Sequence, residues 1–439
     1  MKALIVGCGV SGRSAGDFLQ SKGYDVQFVS DENLKNFKSD DIDRLLTGLS
    51  FIVKSPGVAY DNKIIKSAIK KGVEVVGEME VGASIVKGDV IAVTGTNGKT
   101  TTVSLVNHLL QLENRKVYIG GNIGVPITSF VDVVLDDDIV VLECSSFQLE
   151  SCKNFRPKIA VVLNISEDHL NRHKTISEYI RCKMNITKNQ KNSDYLLLNY
   201  DSEMVMKNKP KTNAKIYYFS TKNKVVGCYI KRGCIYFNDN LSEKKLVSLS
   251  KIKLIGEHNK SNILAAVLSV YLLTKNINLF KSLNSFYGVE HRIEFVKTIN
   301  KISFYNDSKA TNIDSVLVAL KSFKNGINLI LGGSDKGYGF DDLFKNLPKN
   351  VKNIAIFGET RNKIAFFAQK YKFKNFCICE NLKAATLFCY THAKPNEIVL
   401  LSPACASFDC FLNFEERGNI FKKIVMEIAE NEISLMENK

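Results

Sequence analysis

The chain lacks the long apolar run that a membrane demands. No stretch of about 18 uninterrupted apolar residues occurs in its 439 residues. It has no C-x-x-C pair among eleven cysteines, and the closest two, Cys377 and Cys379, stand one residue apart. That spacing suits neither a zinc finger nor a redox dithiol, so reduced thiols are expected. No H-E-x-x-H is present, which leaves the pair His169 and His173 without a third zinc ligand. The formal net charge is +15, yet no basic run exceeds a few residues. A nucleic-acid binder concentrates such charge in a stripe or tail. Here the lysines read as a solvated surface that also attracts polyanions such as nucleotides. There is no internal repeat and no low-complexity segment. The opening MKALIVGCGVSG is broken at once by glycines and has no small-residue cleavage site, so it is not read as a signal peptide. A cytoplasmic protein is expected, with neither a membrane nor a nucleic acid as partner.

What is present is an ordinary core composition, 45% apolar, and a strongly alternating α/β pattern. Strands are expected at 3–6, 25–30, 51–54 and 73–76, with helices at 11–22 and 62–71. The pattern loosens over 77–89. A second unit brings strands at 90–94, 116–119, 139–143 and 159–163, a helix at 175–188 and short strands over 195–250. An amphipathic helix is expected at about 259–275, then a turn-like link at Gly288 and His291. A third block carries strands at 302–305, 327–331, 353–357 and 398–401. The expectation is an α/β protein of three domains: a Rossmann-like amino-terminal domain (1–79), a central P-loop-type ATP-binding domain with a parallel sheet (80–288), and a Rossmann-like carboxy-terminal domain (289–439).

Two glycine turns organise the chemistry. Gly7-x-Gly9-x-x-Gly12 lies between a strand and a helix, and Asp31 follows at the end of the next strand. Alone it fits NAD, FAD or any nucleotide diphosphate, because its glycines let backbone N–H groups approach a pyrophosphate. The second turn, Thr94-Gly95-Thr96-Asn97-Gly98-Lys99-Thr100-Thr101, is a phosphate cradle. Lys99 reaches the β/γ oxygens and the Thr100 hydroxyl can hold Mg²⁺. It departs from the standard P-loop at Val93, where the first glycine belongs. Glu143 ends another strand and is a hard-oxygen candidate for Mg²⁺, or a solvated carboxylate. Lys183 on the 175–188 helix reads, by itself, as a surface lysine. Asn259 and Asn262 share a first helical turn, either as amides facing adenine or ribose or as a cap. Three polar loops end strands of the last block: Asn306–Asn312, Gly332–Gly337 and Ser402–Asp409, the last completed by Phe411–Gly418. Loops from successive strand ends form one crevice.

In order, GTNGKTT, ECSSFQLE, LNISEDHLNRH, GEHNKSN, EHRIE and NDSKATN resemble the Mur ligases of peptidoglycan synthesis, and the likeness covers essentially the whole chain. GCGVSG, NDSKATN and LSPACASFDCFLNFEERG are similar to the D-glutamate-adding branch. The resemblance implies an ATP-dependent ligase that forms an acyl phosphate on UDP-N-acetylmuramoyl-L-alanine and couples D-glutamate to it. It implies that Gly9, Val10, Ser11, Gly12, Asp31, Ser55, Pro56, Gly57 and Asn122 serve the UDP-sugar. ATP falls to the turn Gly95–Thr101 with Asn259, Asn262, Arg292, Asp307 and Lys309. Thr311, Lys336, Ser407 and Phe414 fall to D-glutamate. Lys99, Glu143, His169 and Lys183 would be catalytic, and two Mg²⁺ would lie among Thr100, Glu143, His169 and Lys183, the last as an N-carbamate. A monomer is expected, with a hinge near residue 288. One departure stands out: Glu32 and Asn33 follow Asp31 where the family often has a hydroxyl residue and an Arg, so uracil contacts there are not carried over. A dehydrogenase would leave the GKT turn unexplained. A P-loop switch lacks a Walker-B pattern, and a non-enzymatic nucleotide-binding module would not need three polar loops in the last block.

Overall fold

The computed structural model of the chain describes residues 1–30, 37–252, 254, 256–286 and 288–437. Asp31, Glu32 and Asn33 lie outside the described residues. The chain forms two compact units: residues 1–252 with 258–286, and residues 253–257 with 287–439.

The first unit holds two sheets. Strands β1 (Lys2–Val6), β2 (Asp25–Val29), β3 (Phe51–Lys54) and β4 (Glu74–Gly77) pair in the order β2-β1-β3-β4, all parallel. The second sheet has nine strands: β5 (Asp89–Thr94), β6 (Val117–Gly121), β7 (Ile139–Glu143), β8 (Ile159–Val162), β9 (Tyr195–Asn199), β10 (Lys215–Ser220), β11 (Gly227–Lys231), β12 (Cys234–Asn238) and β13 (Glu243–Ser248). Their order is β13-β12-β11-β10-β9-β8-β5-β7-β6, with antiparallel pairing only from β11 to β13. The central strands are buried throughout, VIAVT in β5, IVVLE in β7 and IAVV in β8. Continuous apolar runs of this kind belong to parallel strands covered on both faces. A single apolar cluster runs from Ile5 and Val53 of the first sheet through Met79 to Val90, Leu142 and Phe155 of the second.

The second unit carries β14 (Glu294–Ile299), β15 (Ile302–Asn306), β16 (Ile327–Gly332), β17 (Val351–Phe357), β18 (Phe376–Ile378) and β19 (Ile398–Leu401), ordered β14-β15-β19-β16-β17-β18. Only β14 is antiparallel to its neighbour.

Four elements differ from expectation. A helix, Glu78–Ala83, occupies the stretch where the pattern loosens. It is too short to show periodicity, and its acids are buried: Glu80 accepts hydrogen bonds from the backbone N–H groups of Lys153, Asn154 and Phe155. The helix expected to be amphipathic, observed at Glu257–Thr274, is buried all round from Ile263 to Val270, so it has no polar face. The strand β14 is a partly exposed edge with mixed polarity, and β18 has only three residues, too few to stand out.

Candidate functional site

In the first unit β8, β5, β7 and β6 are neighbours, so the loops leaving their carboxyl ends share one sheet edge, where ligands of parallel α/β sheets bind. The turn after β5 enters the helix Lys99–Leu110 through Gly98, at φ 87°. A Cβ on Gly98 would come within 2.3 Å of the Asn262 side-chain oxygen, so both the backbone conformation and the close approach require glycine. No side chain caps this helix, and its first N–H groups are a ready anion site. Asn97 and Asn164 brace the turn reciprocally: the Asn97 N–H donates to Asn164 Oδ1 at 2.8 Å and Asn164 Nδ2 donates to the Asn97 carbonyl at 2.9 Å.

Lys99 Nζ donates to the carbonyls of Gly95 and Thr96, both at 2.9 Å. Lys183 Nζ donates to the same Gly95 carbonyl at 2.8 Å. The expected surface lysine is therefore buried, at 2% exposure. The helix Ile176–Met184 turns Tyr179, Ile180, Cys182 and Lys183 inward together, and Lys183 lies 4.6 Å over the Tyr179 ring. Burial, with the Lys99 charge second, lowers Lys183 to about 7.

Glu143 is buried too, which excludes the solvated strand-end reading. Its partners are neutral donors: the Thr100 hydroxyl on Oε2 at 2.8 Å and Asn122 Nδ2 on Oε1 at 2.7 Å. The Asn122 N–H also donates to the Glu143 carbonyl at 2.8 Å. Thr100, Asn122 and Glu143 thus form one oxygen-rich cluster. Buried Asn262 donates to Asn259 Oδ1 at 2.9 Å. Both lie within the helix rather than at its cap, and Asn262 packs on Gly98.

The two histidines part company. His169 is half-exposed and takes a left-handed φ of 53° before the short helix Leu170–His173. His173 is buried, its Nε2 2.9 Å from Ser146 Oγ. In the first glycine turn Gly7 has φ 92°, and the Ser55 hydroxyl donates to its carbonyl at 2.6 Å. A Cβ on Gly12 would strike that carbonyl at 1.9 Å. Gly9 faces open space, and Val10 beside it is exposed. The helix Val10–Ser21 begins there without a side-chain cap.

The second unit brings together the loops after the neighbouring strands β15, β19 and β16. Asp307 is buried and accepts from the Ser402 hydroxyl at 2.6 Å and from the Ile293 N–H at 3.2 Å. Burial pushes it up to about 7, against those hydrogen bonds and the Arg292 charge. Lys336 Nζ donates to the Thr311 carbonyl at 2.9 Å, and Lys309 Nζ lies 5.4 Å over the Phe414 ring. Ser407 is buried in the last loop.

Residue-level reading gave no role to three cations that the fold takes largely out of solvent. Arg417, fully buried, donates to Ser308 Oγ and to the carbonyls of Ser308, Cys405 and Ala406, tying two of the three loops together. Arg172 and Lys54 do similar work in the first unit. Nothing in sequence separates such residues from solvated lysines and arginines, because their partners include groups far along the chain, such as Glu150 for Lys54, Gly57 for Arg172 and Ser308 for Arg417.

Comparison with known proteins gives the family and the fold. Residues 93–270 match the family model for the Mur ligase middle domain, and residues 291–405 that for the Mur ligase glutamate ligase domain. The chain is 42% identical to a UDP-N-acetylmuramoylalanine–D-glutamate ligase from Thermoanaerobacter sp., over 97% of this chain and 98% of the relative. It is 40% identical to the ligase of the same name from Oenococcus oeni, over 97% and 96%. Among solved structures, UDP-N-acetylmuramate-alanine ligase MurC from Thermotoga maritima has a TM-score of 0.60 at 18% identity, covering 97% of this chain and 99% of that one. A pseudomurein peptide ligase type C from Methanothermus fervidus gives 0.59 at 19%, with coverage of 97% and 99%. Those two speak for the fold, whereas the sequence relatives and the family models carry the assignment: the chain belongs to the Mur ligase family.

Proposed function

We propose that the chain is an ATP-dependent ligase that adds D-glutamate to UDP-N-acetylmuramoyl-L-alanine in the cytoplasmic synthesis of peptidoglycan precursors. One observation supports the chemistry above the rest. Two lysine side chains, Lys99 at a helix N-terminus and Lys183 on another helix, share the Gly95 carbonyl, and the nearby Glu143 carboxylate accepts hydrogen bonds from the Thr100 hydroxyl and the Asn122 amide. Cations crowded on one carbonyl are relieved by a polyanion, and a buried carboxylate beside a hydroxyl and an amide oxygen suits a hard metal ion.

A carboxylate does not acylate an amine directly, because hydroxide is a poor leaving group. The alanine carboxylate therefore attacks the γ-phosphorus of ATP, the bond to ADP breaks, and an acyl phosphate forms. The neutral amine of D-glutamate attacks the acyl carbon. The tetrahedral intermediate expels phosphate, and the amine's surplus proton is lost. The chain's part is placement and charge. Gly95–Thr101 and the open helix end hold the phosphates, with Lys99 on the transferring group. Asn259 and Asn262 face the nucleotide, together with Arg292, Asp307 and Lys309. Thr311, Lys336, Ser407 and Phe414 receive D-glutamate. Gly9–Gly12, Ser55–Gly57 and Asn122 receive the UDP-sugar. This divides the chain at 1–79, 80–288 and 289–439 into sugar-binding, ATP-binding and amino-acid-binding domains, the outer two Rossmann-like.

Thr100, Glu143 and His169 offer oxygen and imidazole donors that fit Mg²⁺, two ions in this reading, which when bound neutralises charge on the phosphoryl oxygens. A Lys183 ammonium does not fit; its carbamate does. The neutral Nζ joins CO₂ with loss of a proton, and burial near 7 keeps unprotonated amine available. In this reading the protein acts as a monomer. The test is phosphate release from ATP, assayed against a panel of amino acids with and without UDP-N-acetylmuramoyl-L-alanine. Release that needs both the UDP-sugar and D-glutamate is expected. Release indifferent to either refutes the reading.

A further inference from the structure

Arg172 lies three residues beyond His169, on the short helix Leu170–His173. Its guanidinium reaches out of the second sheet's loops to the Ser55–Gly57 turn of the first. Nη1 donates to the Gly57 carbonyl at 3.1 Å, and Nη2 to the Val58 carbonyl at 2.8 Å and to Glu150 Oε2 at 2.9 Å. Its flat face lies 5.1 Å over the Phe147 ring. Lys54, fully buried at the end of β3, donates to the same Val58 carbonyl at 3.0 Å and stands 3.8 Å from the same carboxylate oxygen. Glu150 ends the short helix that follows Glu143. Two cations and one carboxylate, all largely out of solvent, therefore join a turn of the first sheet to the segments after β7 and β8.

We propose that Arg172 is a positioning residue that fixes the distance between the Ser55–Gly57 turn and the loops carrying Glu143 and His169. This rests on the proposed function, in which the turn holds the UDP-sugar diphosphate and those loops serve phosphoryl transfer. A reaction in which the carboxylate at one end of a long substrate must meet the γ-phosphate bound elsewhere is sensitive to such a spacing, since misplacement by about 1 Å can cost ~10²-fold in rate. A guanidinium donates from two separate nitrogens, Nη1 to Gly57 and Nη2 to Val58 and Glu150; an ammonium offers a single nitrogen and cannot span them in the same way.

The test compares Arg172→Ala and Arg172→Lys with the unaltered protein by steady-state phosphate release, with thermal midpoints measured alongside. The alanine variant is expected to raise the KM for UDP-N-acetylmuramoyl-L-alanine by about tenfold or more and to lower kcat, with the KM for ATP within about twofold. The lysine variant, which keeps the charge and fills most of the volume, is expected to fold and to show the same split, more weakly. A lowered midpoint with unchanged kcat and an unchanged KM for the UDP-sugar overturns the proposal and leaves a purely structural ion pair; so does an equal rise in both KM values. If the unaltered protein does not respond to the UDP-sugar at all, the proposed function itself has failed; if it responds and both variants match it, only this inference has.

Discussion

Among the ionisable groups that the two units bury, Lys183 of the first and Asp307 of the second are driven by burial toward the same value from opposite sides. Lys183 comes down to about 7 and Asp307 goes up to about 7. In both cases desolvation is the largest cause, and the neighbours differ. Lys183 sits beside another cation, Lys99, which pushes it further toward neutrality. Asp307 sits beside Arg292 and two hydrogen-bond donors, which pull it back toward its charged form. The first arrangement favours an amine that can react; the second holds a carboxylate ready to ionise when a cation or donor arrives. In the proposed function the first unit supplies the groups that act on transferring charge, and the second supplies groups that hold and orient.

The sharpest way to break this contrast is at Lys183. Lys183→Ala is expected to be nearly inactive in phosphate release, and a small added carboxylate such as formate should restore part of the activity by standing in for the carbamate. Full activity of the alanine variant rules the carbamate out. Lys99→Ala should lower turnover by at least ~10²-fold, the scale of losing one electrostatic stabiliser of a transition state. Near-normal turnover would mean that the Gly95–Thr101 turn does not hold the transferring phosphate.

Variants in the holding groups should act on binding instead. Lys336→Ala is expected to raise the KM for D-glutamate by about tenfold, as for removal of one charged partner, while the KM for ATP stays nearly constant. Equal effects on both place Lys336 elsewhere. Gly9→Val probes the first glycine turn cleanly, because Gly9 has φ −68° and open space around its Cβ position. Weaker binding of UDP-N-acetylmuramoyl-L-alanine, with ATP affinity little changed, is expected by calorimetry. Saturable NAD binding that the same substitution abolishes would overturn the assignment of that turn.

How much of this could be read beforehand follows from what each feature depends on. The strands and glycine turns were legible because they are local: VIAV into GTNGKTT shows a strand, a tight turn and a helix start within a dozen residues. Glu143 and Asp307 were legible as strand-end acids. The environment of Lys183 was not, since its burial arises from a helix face and a carbonyl 88 positions away. Arg172, Lys54 and Arg417 were hidden for the same reason. The helix Glu257–Thr274 was misjudged as amphipathic because its opening polar residues, Asn259 and Asn262, are themselves buried and paired. Polarity in the sequence marked a buried pair of amides there, not solvent.

The smallest effect expected is on stability, and it tests the second half of the comparison. Asp307 binds its proton more tightly in the folded chain, to about 7, than at its ordinary 3.8 when unfolded. Between those values the folded state carries more protons than the unfolded one, so this residue's contribution to stability falls as pH rises through that window and levels off above it. Salt-bridged carboxylates slope the other way, and the total curve mixes both. Comparison with Asp307→Asn removes the shared part, because the two proteins differ at one titrating site. The amide keeps a carbonyl acceptor for the Ser402 hydroxyl or the Ile293 N–H, so folding should survive. The thermal midpoint of the unaltered protein minus that of the variant is expected to decrease steadily from about pH 4 to about pH 7. A difference that stays flat shows that Asp307 is ionised throughout, with Arg292 outweighing desolvation; a difference that grows with pH shows a carboxylate already paired in the unliganded chain, and the contrast with Lys183 is then lost.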